Sequence, residues 1–202
     1  MNTELTKSGL TRASIIDAGI AMAQETGLES LTIGTVADRV GLSKSGVFSR
    51  ISSREELQIA VLNEYARRMT ERALLPALRA PRGLPRLRAI WNGWLDWVRD
   101  EKIGSSCLFI SGAVEYDDRP GPVRDAVFNG LAEWRRQLAR TVRQSIDEGH
   151  LRQDADPEQI AFELSSIILG VHNDIRLFRD ARAFSRARVA FDRLLADVAL
   201  SS

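Results

Sequence analysis

Cysteine is almost missing from this 202-residue chain, and histidine nearly so. The one thiol, Cys107, has no internal disulfide partner. With only two histidines, His150 and His172, the chain lacks the ligands of a closed zinc site. No apolar run approaches the roughly 18 residues of a membrane span, which excludes a transmembrane protein. The polar N-terminus, Met1 to Gly9, has no basic stretch leading into an apolar one, so no signal peptide is predicted. These absences predict a reduced, soluble, cytoplasmic protein without a cofactor or a membrane partner. Charge of one sign is missing too: the net charge is +1, so global electrostatics points to no partner. No stretch shows the sustained alternation of a half-buried strand.

At 44% hydrophobic and 27% charged, the chain can build a sizeable core and is not disordered. Its length suits one domain, or a small domain joined to a larger one. The cations are unequal, 3 lysines against 25 arginines. Codon bias explains that imbalance as well as nucleic-acid binding does. Location is more informative. From Arg39 to Arg54 the chain carries Arg39, Lys44, Arg50 and Arg54 and no acid, a local excess that either faces an anion or is a solvated surface.

Helical periodicity runs throughout, and the six prolines fall between periodic segments or in their first turns. A first helix is predicted over Thr11–Thr26, with Ile15, Ile16, Gly19, Met22 and Ala23 inward and Gly27 as its terminator. Thr32 caps a second over Ile33–Val40, Gly41 and Leu42 turn the chain, and Ser43 caps a third over Lys44–Arg50. A fourth starts at Ser52 or Ser53 with a capping box and runs to about Leu75. Pro76–Pro85 is predicted as a loop. Further helices follow over Pro85–Lys102, Ser106–Tyr116 and Val123–Glu148. Asp156-Pro157, a cap followed by an N1 proline, opens another that reaches about Asp180, and the last covers Ser185–Leu200.

Three short helices with a tight glycine turn before the third are what a helix-turn-helix needs. Val36, Ala37, Val40, Leu42 and Val47 form its expected core. The third helix then offers Lys44, Ser45 and Gly46 at its N-terminal end, where base edges are met and the helix dipole favours phosphate.

The run Thr32-Ile33-Gly34-Thr35-Val36-Ala37-Asp38-Arg39-Val40-Gly41-Leu42-Ser43-Lys44-Ser45-Gly46-Val47-Phe48 resembles the signature of the tetracycline-repressor (TetR) family. Ser52-Ser53-Arg54-Glu55-Glu56-Leu57 resembles the start of that family's fourth helix. The likeness covers about residues 11 to 60. It implies an all-α chain: a helix-turn-helix DNA-binding domain over 1–54 and a larger ligand-binding and dimerisation domain over 55–202. By the same resemblance Lys44, Ser45 and Gly46 contact bases, and Thr32, Ser43, Phe48, Arg50 and Arg54 contact phosphates of a palindromic double-stranded operator. The chain departs from the family pattern in several places. Phe48 replaces a usual tyrosine and cannot donate to phosphate. Arg50 and Arg54 replace a common histidine and lysine and keep phosphate chemistry. Gly46 replaces a frequent threonine, which leaves readout to Lys44 and Ser45. A core aromatic is the second reading of Phe48, and solvated surface is the first reading of Arg39.

For the larger part, Trp91, Trp94, Cys107 and Phe109, with Phe128, Trp134, Phe162 and His172, are candidate lining of an apolar effector pocket. The same stripe also reads as plain core. The last two helices hold more apolar residues than one buried face needs. Ile168, Ile175, Phe191, Leu194, Leu195 and Val198 are the candidate homodimer contacts. The expected function is a ligand-responsive repressor released from its operator by a small apolar or amphipathic molecule. Its competitors are an activator, a regulator answering to a protein, a helical carrier that has lost DNA binding, and an enzyme. The last has only Cys107, His150 and His172 to offer, on separate elements.

Overall fold

The structure, a computed structural model, describes residues 7–100 and 107–200. The expected helix end at Lys102 and helix start at Ser106 lie outside these residues. Among the described residues ten α-helices follow one another: α1 (Lys7–Thr26), α2 (Ile33–Val40), α3 (Lys44–Phe48), α4 (Arg54–Met69), α5 (Leu75–Ala77), α6 (Leu84–Arg99), α7 (Leu108–Tyr116), α8 (Pro122–Asp147), α9 (Pro157–Asn173) and α10 (Ala183–Asp197). Among the described residues β-pairing amounts to one isolated antiparallel bridge, Leu151 with Ala199. No helix among them is long and apolar enough to cross a membrane.

Two π-helical turns depart from the expected continuous helices. One, Thr70–Leu74, joins α4 to α5 and takes the Leu75 N–H back to the Thr70 carbonyl. Its cause is local. Pro76 has no N–H to give the carbonyl one α-turn earlier, so the turn widens and the chain stays helical into what the sequence suggests is a loop. The other, Asp174–Phe178, ends α9 with Arg179 in the left-handed region, φ 53°.

The chain packs as two compact units. The first takes in the chain up to Arg67 together with Cys107–Asn129. Ile15, Leu28, Leu31, Val36, Ala37, Val47, Ile51, Leu57 and Val61 are all fully buried in it. Burial of each large aliphatic side chain there contributes about 1.5–3 kcal/mol. Val40 and Leu42 stay half-exposed. Ile20, not among the expected inward residues, is buried. A Cβ on Gly19 would stand 2.6 Å from Val61 Cγ2, so α1 and α4 meet at a contact only glycine fits. α7 belongs to this unit: Leu108 is fully buried and Gly112 lies against Val127.

The second unit takes in the remainder. Its core holds Leu87, Trp91, Trp94 and Leu95 of α6, Leu138 and Val142 of α8, Leu164 and Ile168 of α9, and Phe191 and Leu195 of α10. The Trp91 ring stacks on Phe191 at 4.7 Å. Gly93 is pressed against the π turn, where an added Cβ would come 2.7 Å from the Ala73 carbonyl oxygen. The α9 cap forms as the sequence predicts, with Asp156 accepting from the Glu158 and Gln159 N–H groups at 2.9 and 3.2 Å. His150 Nδ1 accepts from the Leu84 N–H at 3.3 Å, closing the start of α6.

Candidate nucleic-acid interface

The turn between α2 and α3 forms by the residues that encode it. Thr32 Oγ1 accepts from the Thr35 N–H and Thr35 Oγ1 accepts from the Thr32 N–H, both at 3.0 Å, a reciprocal cap. Gly41 stands at φ 68°, where a side chain would be strained. Ser43 Oγ accepts from the Gly46 N–H at 3.1 Å and starts α3. α3 is shorter than predicted, ending at Phe48.

Lys44 and Ser45 are exposed, and Gly46 is half-buried. A Cβ at Gly46 would lie 3.1 Å from Ser43 Oγ, so a larger residue would press on the cap. The end of the Lys44 side chain lies beside Gly34, in the first turn of α2 that Thr32 caps. The two helix starts, with their capping hydroxyls and the lysine, therefore make one surface. Phe48 is 56% exposed, so the core-aromatic reading is corrected: the ring faces outward, beside the buried Val47 that anchors the helix.

The two expected phosphate arginines are not free. Arg50 folds onto its own helix and donates through Nη1 to the Gly46 carbonyl at 2.7 Å and to Ser49 Oγ at 3.0 Å. Its Nε is buried without a hydrogen-bond partner among the described residues. Arg54 donates through Nε to the Leu31 carbonyl at 2.9 Å and through Nη2 to the Glu29 carbonyl. The same Nη2 pairs with Glu29 Oε1 at 2.9 Å. Arg39 pairs with Glu25 at 2.7 Å.

Around Arg54 lies a polar cluster that nothing in the sequence announces. Tyr116 donates to Glu29 Oε2 at 2.7 Å and accepts from Gln58 Nε2 at 2.8 Å. Gln58 also donates to the Leu28 carbonyl at 2.9 Å. Glu115 accepts from the Leu28 and Glu29 N–H groups at 3.2 and 2.6 Å. Arg119 reaches Glu29 at 3.1 Å. Hydrogen bonds from Tyr116 and then Arg54 hold the Glu29 carboxyl below its ordinary value. Burial, and then the bond to Glu29, push the Tyr116 phenol up to about 12.

The expected pocket residues divide between the units. Cys107 and Phe109 are buried in the first, where Phe109 and Tyr65 stand 6.1 Å apart. Burial pushes the Cys107 thiol up. Trp91 and Trp94 are buried in the second, and Trp134 and His172 are half-buried there. Phe128 and Phe162 are 59% and 53% exposed, a correction to their place in an apolar interior: each stands on the outer side of its helix. Two buried nitrogens, Trp91 Nε1 and His172 Nε2, have no hydrogen-bond partner among the described residues. Burial, then Arg176, lowers the His172 pKa and favours its neutral form. A groove of about 450 Å³ in the second unit is bordered by Ala73, Asn92, Gly93, Asp96 and Trp97 and by none of the eight expected residues.

The dimer candidates divide as well. Ile168, Phe191 and Leu195 are buried in the chain's own core, since their helices turn that face inward; they are corrected as outward contacts. Ile175, Leu194 and Val198 are half-exposed. The outward apolar residues of α9 and α10 are Phe162, Leu169 and Val189.

Comparison with known proteins agrees with this geometry. The family described as bacterial regulatory proteins, tetR family, matches residues 15–61, and the tetracyclin repressor-like C-terminal domain matches 83–191. No curated protein matches this sequence. Solved structures share the fold. A TetR-family transcriptional regulator from Cytophaga hutchinsonii is 18% identical, with 99% of this chain and 100% of that one covered and a TM-score of 0.83. One from Chloroflexus aurantiacus is 21% identical over 96% and 99%, with a TM-score of 0.84. A regulator from Saccharomonospora viridis in complex with choline is 17% identical over 95% and 99%, with a TM-score of 0.79. Family matches at both ends, together with the capped helix-turn-helix between Thr32 and Phe48, make the chain a member of the TetR family of DNA-binding transcriptional regulators.

Proposed function

We propose that the chain is a homodimeric repressor that binds a palindromic double-stranded operator and leaves it when a small apolar or amphipathic molecule binds. The reading rests on one observation above all: the starts of α2 and α3, each with a capping hydroxyl, share a surface with the exposed Lys44. Lys44 and Ser45 read bases, with Gly46 admitting the backbone close to them. Thr32, Ser43, Arg50 and Arg54 hold phosphates, and Phe48 packs on sugar. Residues 1–54 are the DNA-reading part and 55–202 the regulatory and dimerising part. Two recognition helices must meet half-sites about 34–36 Å apart, which requires two copies. DNA binding places this regulator in the cytoplasm.

Effector binding is supported by the two orphaned buried nitrogens. A buried polar nitrogen without a partner is costly, and a complementary ligand group would relieve it, an acceptor in the case of the Trp91 N–H. An effector with an apolar body and an acceptor for Trp91 Nε1 suits the second unit. The choline-bound relative shows that this fold takes a small molecule in another protein. No catalytic role is assigned: Cys107 is buried and His150 caps α6.

The test is a mobility shift with the DNA upstream of the chain's own gene, repeated with candidate effectors. Retarded DNA released by an effector is the expected result. Linkage further requires operator to weaken effector binding by the factor by which effector weakens operator binding. A chain that binds effector but no DNA is a carrier, and the repressor reading fails.

A further inference from the structure

The polar cluster on the α1–α2 turn is built from residues far from the recognition helix, and it involves none of the base-reading side chains. Its geometry is that of a clamp. Glu115, at the end of α7, takes two successive backbone N–H groups of the turn, Leu28 and Glu29, on its two carboxylate oxygens. Paired charge-assisted hydrogen bonds of this kind fix orientation as well as distance. Gly27 gives the carboxylate its place. A Cβ there would stand 2.5 Å from Glu115 Oε1, and the residue sits at φ 93°. The neighbouring Tyr116 holds the Glu29 carboxylate, and Glu29 in turn holds Arg54. Arg54 closes the loop on the Leu31 carbonyl, one residue before the α2 cap Thr32.

We infer that Glu115 and Tyr116 are positioning residues for operator binding: together they set where the α1–α2 turn places Thr32 and where Glu29 places Arg54. This rests on the DNA-binding reading given above. Neither residue touches DNA. Their effect is to restrict the start of α2 and the guanidinium at the start of α4 to one arrangement before DNA arrives. Binding then spends less ordering entropy on these groups. α7 thereby becomes a direct route to the operator surface. A shift of its last turn would move two phosphate-holding side chains, Thr32 and Arg54, without any tilt of α4.

The experiment measures operator affinity for the full-length chain and for Glu115→Ala, Glu115→Gln, Tyr116→Phe and Gly27→Ala. Each is corrected for active fraction by stoichiometric titration, with a melting temperature taken alongside. Glu115→Ala and Gly27→Ala should weaken operator binding roughly tenfold to a hundredfold, the scale of a lost charge-assisted pair. Tyr116→Phe should weaken it less. Glu115→Gln keeps one acceptor oxygen and should recover part of the loss. A role confined to stability would lower the melting temperature and leave the affinity of the active fraction unchanged, which overturns the inference. Non-additivity gives the second readout. If Glu115 acts by placing Thr32, Thr32→Val should cost much less in the Glu115→Ala background than alone. Strictly additive losses would overturn it. A wild-type chain that binds no DNA would defeat the DNA-binding reading itself. Wild-type binding with unaffected variants would defeat the clamp alone.

Discussion

Lys44 lies across the bare face of Gly34: a Cβ built on the glycine would stand 3.1 Å from the lysine Cε and 3.5 Å from Nζ. α2 thus leaves a slot for the side chain that, in the function proposed above, α3 offers to the major groove, where lysine donates to guanine O6 and N7. Lys44→Ala should cost roughly 1–3 kcal/mol on the specific site and much less on random DNA. Gly34→Ala should separate folding from readout. It favours the helix by about 1 kcal/mol while displacing the lysine. The expected outcome is a melting temperature at or above wild type with part of the Lys44→Ala loss on the operator. Equal losses on specific and random DNA in Lys44→Ala would make the lysine a backbone contact.

Salt dependence tests the arginines. With Arg50 and Arg54 on phosphates in both subunits, log K should fall against log salt with a slope of about −4. Arg54→Ala should bring the slope to about −2 and weaken specific and random DNA alike. It should also lower the melting temperature, because Arg54 ties Leu31 and Glu29 to the start of α4. A slope that stays at the wild-type value removes Arg54 from the phosphate contacts and leaves it a structural tie.

For the proposed homodimer, the outward apolar residues Phe162 and Leu169 move the seam from the inward-turned Ile168 to the outer face of α9. Phe162→Asp or Leu169→Asp should yield folded monomers in sedimentation, since both side chains are about half exposed in the single chain. Ile168→Asp, one residue from Leu169, should instead unfold the second unit at a cost of about 3 kcal/mol or more, because Ile168 is 5% exposed. A stable dimer of Leu169→Asp would move the seam elsewhere.

The Tyr116–Glu29 bond predicts a dependence on pH at both ends. Between pH 10 and about 12 the unfolded chain loses this phenol proton and the folded chain keeps it. Stability therefore falls as pH rises through that window. At the acid end the lowered Glu29 pKa contributes stability above 4.5 that is lost as pH falls through its folded value. Thermal melts of wild type and Tyr116→Phe should diverge in slope above pH 10. Parallel curves would show that the phenol bond does not contribute.

What the sequence discloses is mostly what neighbours in sequence decide. The caps at Thr32, Ser43 and Asp156 and the turn at Gly41 are written within four residues of where they act, and they form as read. The Glu115 and Tyr116 contacts bridge 86 and 87 positions to Glu29, and no period or spacing encodes such a pairing. α9 shows the limit in another form. Its apolar excess is legible, but with apolar residues on both sides the pattern does not say which side faces the core. Ile168 and Leu169, adjacent in the chain, fall on opposite answers. The π turn at Thr70–Leu74 leaves one trace, Pro76, which reads naturally as a break until the widened turn is seen to absorb it.

Cys107 stands at the head of α7, 7% exposed, with its thiol pushed away from ionisation by burial. Only the thiolate attacks an alkylating reagent, so this sulfur is labelled only while the head of the helix is transiently open. The chain has no other cysteine to compete. Its labelling rate is therefore a clock for local opening, wired into the helix whose far end grips the α1–α2 turn. Run with operator, with effector and with neither, that clock reports in minutes or hours whether either ligand tightens or loosens α7, with no engineered probe in the molecule.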